Sequence, residues 1–365
     1  MPQMPTPPTD LAAIGDLERN PERSLQFEFV RATENAALTC LPWLGRNAKE
    51  GADDAASRAI LGVLEYVDIC GECVIGEGIK DNAPGIFIGD KLGTWAPGSW
   101  HVDIAVDPID GTTNLSKGMP NSISVMAATF APPGAPRAMM SLPSFYAEKL
   151  TYGPRVVEQI ELRRVPAFNL DTPLTNILDI VALALGKRVR EIVVCTMDRP
   201  RHAKLIEEIR ASGAALRLIS DGDITAAVAP ALHDAAVDLY FGIGGSPEGV
   251  LTAAALRALG GDIQLRMWPR DDTERADLAK NGVTEAQLKK IYHAHELVTG
   301  DSAIFCATGI SDSPLLPGVR VSGHRAITHS ILMRAKSRSV RRIETVHDLR
   351  HKTIRLRGDS RERTV

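Results

Sequence analysis

The sequence predicts an α/β fold of layered mixed sheets and helices, and three observations carry that prediction. From about residue 190 one theme recurs three times: an apolar strand, a polar loop, then a helix. Between residues 73 and 130, short apolar runs bounded by glycine read as further strands. Ahead of these lie two stretches with helical spacing. Strands alternating with helices imply a mixed or parallel sheet with helices packed upon it.

Composition narrows the function classes. The 365 residues are 44% hydrophobic and 24% charged, which is ordinary for a globular chain and excludes wholesale disorder. No apolar run approaches the roughly 20 residues of a membrane-spanning helix. The opening MPQMPTPPTD is polar, Pro-rich and without an apolar signal core, so a cytoplasmic protein is expected. With 42 basic against 45 acidic residues and 5% aromatics, neither general nucleic-acid binding nor a base-stacking platform is indicated.

In chain order, residues 1–23 hold five prolines and read as a mobile tail. Ser24 is a candidate N-cap for a first helix whose face carries Phe27, Val30, Leu38 and Leu41. A second helix over about 52–66 would bury Ala56, Ile60, Val63, Leu64 and Val67. Strands follow at 73–75, 86–88, 102–106 and 123–130, with acidic residues at their ends. Cys70 and Cys73 have CxxC spacing, which admits a redox switch or half of a zinc site. No second pair completes such a site, and the motif leads into a strand rather than a helix, so a structural reading is preferred.

The three later units are strand 192–195 with a helix to about Ser212, strand 216–219 with helical 224–227, and strand 237–241 with helix 250–259. Loops at the carboxyl ends of such strands are where open α/β sheets bind ligands. From Arg334 onward there are 11 Lys/Arg against 4 Asp/Glu, which leaves a net charge near −10 for the rest of the chain. Residues 334–342 alternate like a solvated amphipathic strand that ends in a frayed terminus. Contact with an anionic ligand, another subunit or nucleic acid is the alternative.

The sharpest chemical signal is VDPIDGTT at 106–113. An apolar strand ends in Asp107 and Asp110, with Pro108 between them and Gly111 allowing close backbone approach. This spacing lets both carboxylates face one hard divalent cation, while the Gly111 and Thr112 amides face an anion such as phosphate. The bland reading is a capped turn. Glu77 sits between two glycines after a strand. Asp53 and Glu248 sit at helix starts, where a simple N-terminal charge is the plain alternative. The GIGG run at 242–245 only partly matches a dinucleotide fingerprint.

Taken together, VDPIDGTT, VIGEG followed by APGIFIGDKLG, DRPRH, ISDGD, GIGGSPEG and FCATGI resemble the class II, bacterial and cyanobacterial type, fructose-1,6-bisphosphatases. These belong to the lithium-sensitive, metal-dependent sugar-phosphatase superfamily. The likeness runs in order from about Phe27 to His347. It implies a sugar-phosphatase sandwich over 24–348, with a metal-binding half to about 165, a sugar-phosphate-binding half from about 166, and a basic tail at 349–365. It further implies Mg²⁺ or Mn²⁺, hydrolysis of the 1-phosphate of fructose 1,6-bisphosphate, and a homo-oligomer, dimer or tetramer.

By the same resemblance, the metal carboxylates fall on Asp53, Glu77, Asp107, Asp110 and Glu248. Thr112 positions the attacking water, and Lys49 counters phosphate charge. Asp110, Gly111, Thr112, Tyr146, Arg199, Pro200, Arg201, Asp221, Gly222, Asp223 and Gly245 meet the substrate. Arg199 and Arg201 suit a remote phosphate through their guanidinium forks. Asp221 and Asp223 suit sugar hydroxyls, with a cation as the other reading. Three departures lie near substrate-facing segments: Asp110 where many relatives carry glutamate, Ala147 where methionine is familiar, and Leu265 where glycine is usual. A sedoheptulose 1,7-bisphosphatase or another sugar-phosphate phosphatase is the near alternative, and a non-catalytic sensor the distant one.

Overall fold

The computed structural model describes residues 20–76, 85–132, 134–234 and 236–358, and the backbone of 363 and 364. Five layers stack as helix, sheet, helix, sheet, helix. Helices α1 (Pro21–Cys40) and α2 (Lys49–Leu64) form the outer layer. Helix α1 begins three residues before the expected Ser24 cap, because Pro21 is itself well suited to the first helical turn. Its buried face holds Phe29, Val30, Ala36, Ala37 and Leu38, whereas Phe27 is 49% exposed. Val30 and Leu38 are thus buried as expected, and Phe27 lies off the buried face.

The first sheet contains β1 (Ile69–Ile75), β2 (Lys91–Leu92), β3 (Trp100–Asp110), β4 (Ile123–Ala131), β11 (Ile304–Gly309), β12 (Arg320–Ser322), β13 (Arg325–Arg334) and β14 (Ser339–Asp348). Its order is β12-β13-β11-β4-β3-β1-β2, with β14 on β13, and only β1–β3 is parallel. The expected strand at 86–88 is instead a turn. It is tied to β1 because Gly89 N–H donates to the Cys73 carbonyl and Cys73 N–H to that of Asp90. The whole CxxC lies within β1, and both cysteines are free thiols.

The second sheet runs β10-β9-β5-β8-β6-β7. Its strands are β5 (Tyr146–Tyr152), β6 (Val193–Met197), β7 (Ala215–Ile219), β8 (Leu239–Gly245), β9 (Asp262–Met267) and β10 (Tyr292–His293). The three strand–loop–helix units supply β6 with α6 (Ala203–Ser212), β7 with α7 (Asp223–Val228), and β8 with α8 (Ser246–Leu259). The β6–β7 and β6–β8 pairs are parallel, so the sheet is mixed as the sequence implied.

Helix α8 is the middle layer. Val250, Leu251, Ala253, Ala254, Ala255, Leu256 and Ala258 are all buried, between Val125, Ala127 and Phe305 of one sheet and Ala147, Ile263 and Leu265 of the other. A helix apolar on every side is one enclosed on every side. Small residues let two sheets approach it, so a large side chain at Ala254 would force the layers apart. The third layer of helices, α4 (Pro154–Glu161) and α5 (Leu174–Leu185), covers the far face of the second sheet through Val156, Ile177, Leu178 and Val181.

The C-terminal region departs from expectation. Residues 334–342 are a hairpin: β13 ends at Arg334, the chain turns at 335–338 with Arg338 in the left-handed region (φ 45°), and β14 returns antiparallel. Alternating small and charged residues fit a turn as readily as a solvated strand. After β14 the described residues to 358 are packed rather than frayed, with Ile354 and Leu356 buried against Leu38, Ala59 and Ala326.

Candidate active site

The Asp107–Asp110 pair owes its geometry to a defect in the strand that carries it. Residues three apart on a regular strand face opposite sides. Here Asp107 lies opposite Val125 and Asp110 opposite Ile123, so three steps on β3 answer two on β4. The extra residue makes a bulge, and Pro108, which has no N–H to lose, sits within it. Both aspartates consequently line one cavity, together with Gly76, Gly111, Thr112, Asp221 and Glu248. The bulge thus gives the two carboxylates the common outlook that their spacing implied.

Asp53 comes from α2. That helix starts at Lys49, so Asp53 is in its second turn rather than at a helix start, and the N-terminal-charge explanation loses force. Instead, Thr112 Oγ1 lies 3.5 Å from Asp53 Oδ1 and donates to the Ile109 carbonyl at 2.9 Å. Lys49 Nζ donates to Thr113 Oγ1 at 2.9 Å, at the exposed rim beside the same loop. Glu77 lies outside the described residues.

Helix α3 (Thr112–Lys117) follows directly, with Gly111 before it in the left-handed conformation at φ 91°. The Thr113 N–H donates to Asp221 Oδ2 at 3.0 Å, so a carboxylate 108 residues away in sequence caps this helix. At Thr113, next to the Gly111 and Thr112 amides expected to face an anion, the carboxylate is a side chain of the protein itself. Asn121 completes the join between the two halves: its Nδ2 donates to the carbonyls of Asp221 (2.6 Å) and Gly222 (2.8 Å).

A second cavity of about 420 Å³ adjoins the first and shares Asp110, Phe145, Asp221 and Glu248 with it. Its further walls are Tyr146, Met197, Arg199, Arg201, Gly222, Asp223, Gly244 and Gly245. Arg199 pairs with Asp221 Oδ1 at 3.2 Å. Arg201 gives Nε and Nη2 to the Ile243 carbonyl at 3.0 and 2.9 Å, and stacks 5.0 Å above the Tyr146 ring. Pro200, expected at the substrate, faces another surface hollow with Asp198 and Ala203. It starts the short turn that separates the two arginines. Ala147 and Leu265 are fully buried, so those two departures from the family pattern face the core rather than the crevice.

The late glycine loop has a packing reason. A β-carbon on Gly244 would lie 1.9 Å from Asp223 Oδ2, and one on Gly245 1.9 Å from Glu248 Oε2. These glycines leave room for acids, which accounts for the run without a dinucleotide.

Charge is concentrated at the junction of the cavities. Burial holds the Asp110 carboxyl well above the usual carboxylate range, and repulsion from Asp107, Asp223, Glu248 and Asp221 pushes the same way. Burial also raises Glu248, with Lys149 opposing and Asp223 and Asp221 adding to the rise. Glu248 Oε2 is secluded from solvent and has no hydrogen-bond partner. Among the described residues no three acidic, His or Cys side chains are already gathered around a point that would hold an ion. Even so, mutually repelling carboxylates, an oxygen-only donor set and an unpartnered buried carboxylate oxygen fit a hard divalent cation.

Sequence reasoning missed several participants. Lys149 is fully buried and pairs with Asp223 at 2.7 Å. Its position on a strand of ordinary appearance carried no signal. Phe145, although 56% exposed, lines both cavities. Arg270 reaches the rings of Phe145 and Tyr146, 5.8 Å from each centroid. His202 stood within the DRPRH motif but drew no role.

Carboxylates that repel one another at one end of a crevice, with two arginines at the other, suit a substrate that has one phosphate to lose and one to be held. That is the arrangement of a sugar-phosphate phosphatase. Residues 23–347 match the bacterial fructose-1,6-bisphosphatases encoded by glpX, and the chain belongs to that family. It is 40% identical to the class 2 fructose-1,6-bisphosphatase of Haemophilus influenzae over 337 residues, covering 90% of this chain and 97% of the relative. It is 38% identical to fructose-1,6-bisphosphatase 1 class 2 of Escherichia coli K12 over 340 residues, with the same coverage. The protein is a phosphoric monoester hydrolase, a class II fructose-1,6-bisphosphatase of gluconeogenesis that depends on a divalent metal. No helix among the described residues is long and apolar enough to cross a membrane.

Proposed function

We propose that Asp53, Glu77, Asp107, Asp110 and Glu248 hold Mg²⁺ or Mn²⁺, and that the 1-phosphate of fructose 1,6-bisphosphate is cleaved beside them. The observation that carries this reading is the junction at Asp110, where carboxylates from β3, α7 and α8 repel one another at the mouth of an arginine-lined cavity. When bound, divalent ions supply Lewis-acid stabilisation of phosphoryl charge and activate water at neutral pH.

The chain's own residues do the rest. Thr112 holds its hydroxyl between the Ile109 carbonyl and Asp53, where it orients the attacking water. Lys49 offsets phosphate charge at the rim. Arg199 and Arg201 bind the phosphate that stays, each already fixed by a protein partner, so little side-chain entropy is lost on binding. Tyr146 forms the wall beside Arg201.

Asp221 and Asp223 accept from sugar hydroxyls. Their alternative role as cation ligands is disfavoured at Asp223, where Lys149 already supplies the positive charge. A homo-oligomer in the cytoplasm completes the reading.

Phosphate release is the test, measured with Mg²⁺ or Mn²⁺ over fructose 1,6-bisphosphate, sedoheptulose 1,7-bisphosphate and fructose 1-phosphate. Fructose 1,6-bisphosphate should turn over fastest, and a chelator should abolish release. Faster turnover of the seven-carbon sugar would move the assignment to that substrate. Saturable binding with no release under either metal would make the protein a sensor.

A further inference from the structure

Strands β6 and β8 run parallel, but their pairing stops at Cys195–Tyr240. Beyond that point the two strands diverge toward the crevice, and Ile243 turns both its N–H and its carbonyl into the gap. A side chain takes the place of the missing ladder. The Ile243 N–H donates to His202 Nε2 at 2.7 Å, and His202 Nδ1 lies 2.8 Å from the Met197 carbonyl at the end of β6. The Ile243 carbonyl in turn accepts both bonds from Arg201.

These contacts admit one tautomer. The Met197 carbonyl can only accept, so Nδ1 carries the proton and Nε2 accepts from Ile243. His202 is 1% exposed. Burial lowers its pKa, the Met197 carbonyl opposes this, and the Arg201 charge adds to the lowering. The ring is thereby kept in the neutral form that can accept.

We infer that His202 is a positioning residue for the remote-phosphate site: it pins Ile243 between the diverging strands, and Ile243 presents the Arg201 guanidinium to the substrate. The inference rests on the reading of Arg201 as the ligand of the non-reacting phosphate. His202 does not touch the substrate cavity itself, so its effect passes through Ile243.

Two variants separate its two hydrogen bonds. His202→Gln places an amide oxygen near the Nε2 position and keeps the bond from Ile243. His202→Asn places its amide near Nδ1, keeps the bond to Met197 and loses Ile243. Steady-state kinetics on fructose 1,6-bisphosphate with saturating metal should show KM raised about three- to tenfold by His202→Asn, the scale of one neutral hydrogen bond, with kcat within twofold. His202→Gln should stay near wild type. Arg201→Ala should raise KM by about ten- to 150-fold, the scale of hydrogen bonds to a charged group. The His202→Asn/Arg201→Ala double variant should be no worse than Arg201→Ala alone.

An unchanged KM in Arg201→Ala overturns the underlying reading of the phosphate site. A raised KM in Arg201→Ala together with a wild-type His202→Asn, or with effects that multiply in the double variant, overturns the relay alone. Equal losses in the Gln and Asn variants also overturn it, because the Ile243 bond would then not be what matters. Thermal melts accompany each variant. If His202→Asn does not fold, His202→Leu, which fills similar space and drops both bonds, takes its place: the relay then requires a raised KM in His202→Leu, a near-wild-type KM in His202→Gln, and no further rise when His202→Leu is added to Arg201→Ala.

Discussion

The ammonium of Lys149 lies 2.7 Å from Oδ2 of Asp223; Lys149 is fully buried, and Asp223, itself nearly so, stands between it and the crevice that it lines. Tyr240 OH approaches the same carboxylate oxygen at 3.4 Å. A β-carbon on Gly244 would fall 3.0 Å from Lys149 Nζ, so the pair fits only beneath a glycine. An ion pair held this way resists the loss of one partner far more than the loss of both, since removing one leaves a buried charge without compensation.

Lys149→Met should therefore destabilise the protein by about 3–5 kcal/mol, the range for breaking a buried pair. Lys149→Met combined with Asp223→Asn should recover most of that loss. Denaturant melts of the two single variants and the double variant measure it, and additive losses would show that the pair is not coupled.

Asp107→Asn and Glu77→Gln each remove a proposed ligand charge with little change of volume. Both should abolish phosphate release while leaving the thermal transition cooperative. Calorimetric titration with Mn²⁺ should show weaker binding in each variant. Near-wild-type rates in either would remove that residue from the proposed set.

Thr112→Ala should lower kcat by about 10²–10⁴-fold, the scale of one positioned proton-transfer group, with Thr112→Ser retaining most activity. A simple helix cap would predict loss of stability with chemistry intact. The structure already argues against that, since the Thr112 hydroxyl turns back to Ile109 and the cap on Thr113 comes from Asp221. Single-turnover rates at saturating substrate and metal decide between them.

Cys73 tests the redox reading of the CxxC motif. Burial, with the Asp90 charge adding to it, pushes its thiol up to about 12. At pH 8 only about one molecule in 10⁴ then carries the reactive thiolate. Native Cys73 should resist iodoacetamide at pH 8, and the unfolded chain should react readily. Because the folded pKa lies above the unfolded one, the thiol's contribution to stability is complete below about pH 9 and is lost as pH rises toward about 12. Rapid alkylation of native Cys73 at pH 8 would reopen a redox role.

Much of the fold was legible because it is written locally. Each strand–loop–helix unit in the second half combines an apolar run, a polar loop and a helical period within about 25 residues, and β6, β7 and β8 lie where that pattern put them. The DPIDGT segment declared its two acids because proline and glycine constrain the backbone within the same few residues. The chain from Phe27 to His347 carried enough ordered motifs to indicate the family.

Other features depend on partners distant in sequence. Whether 86–88 became a strand or a turn depended on which groups of β1 it met, and its apolar side chains suit either outcome. Arg334 to Arg342 offered alternation without a turn signal, and the hairpin follows from β13 finding β14. The bulge at Pro108 is visible only against the β4 register. Asp221 capping Thr113, Asn121 clasping the ISDGD loop, Lys149 beneath Asp223 and His202 between diverging strands each join residues whose own neighbourhoods say nothing of the contact. The sequence by itself determined the types of chemistry available and the elements that carry them. The packing of two sheets about α8 decided which of those groups meet, because charge repulsion, hydrogen bonding and exclusion of water depend on distances that the linear chain does not contain.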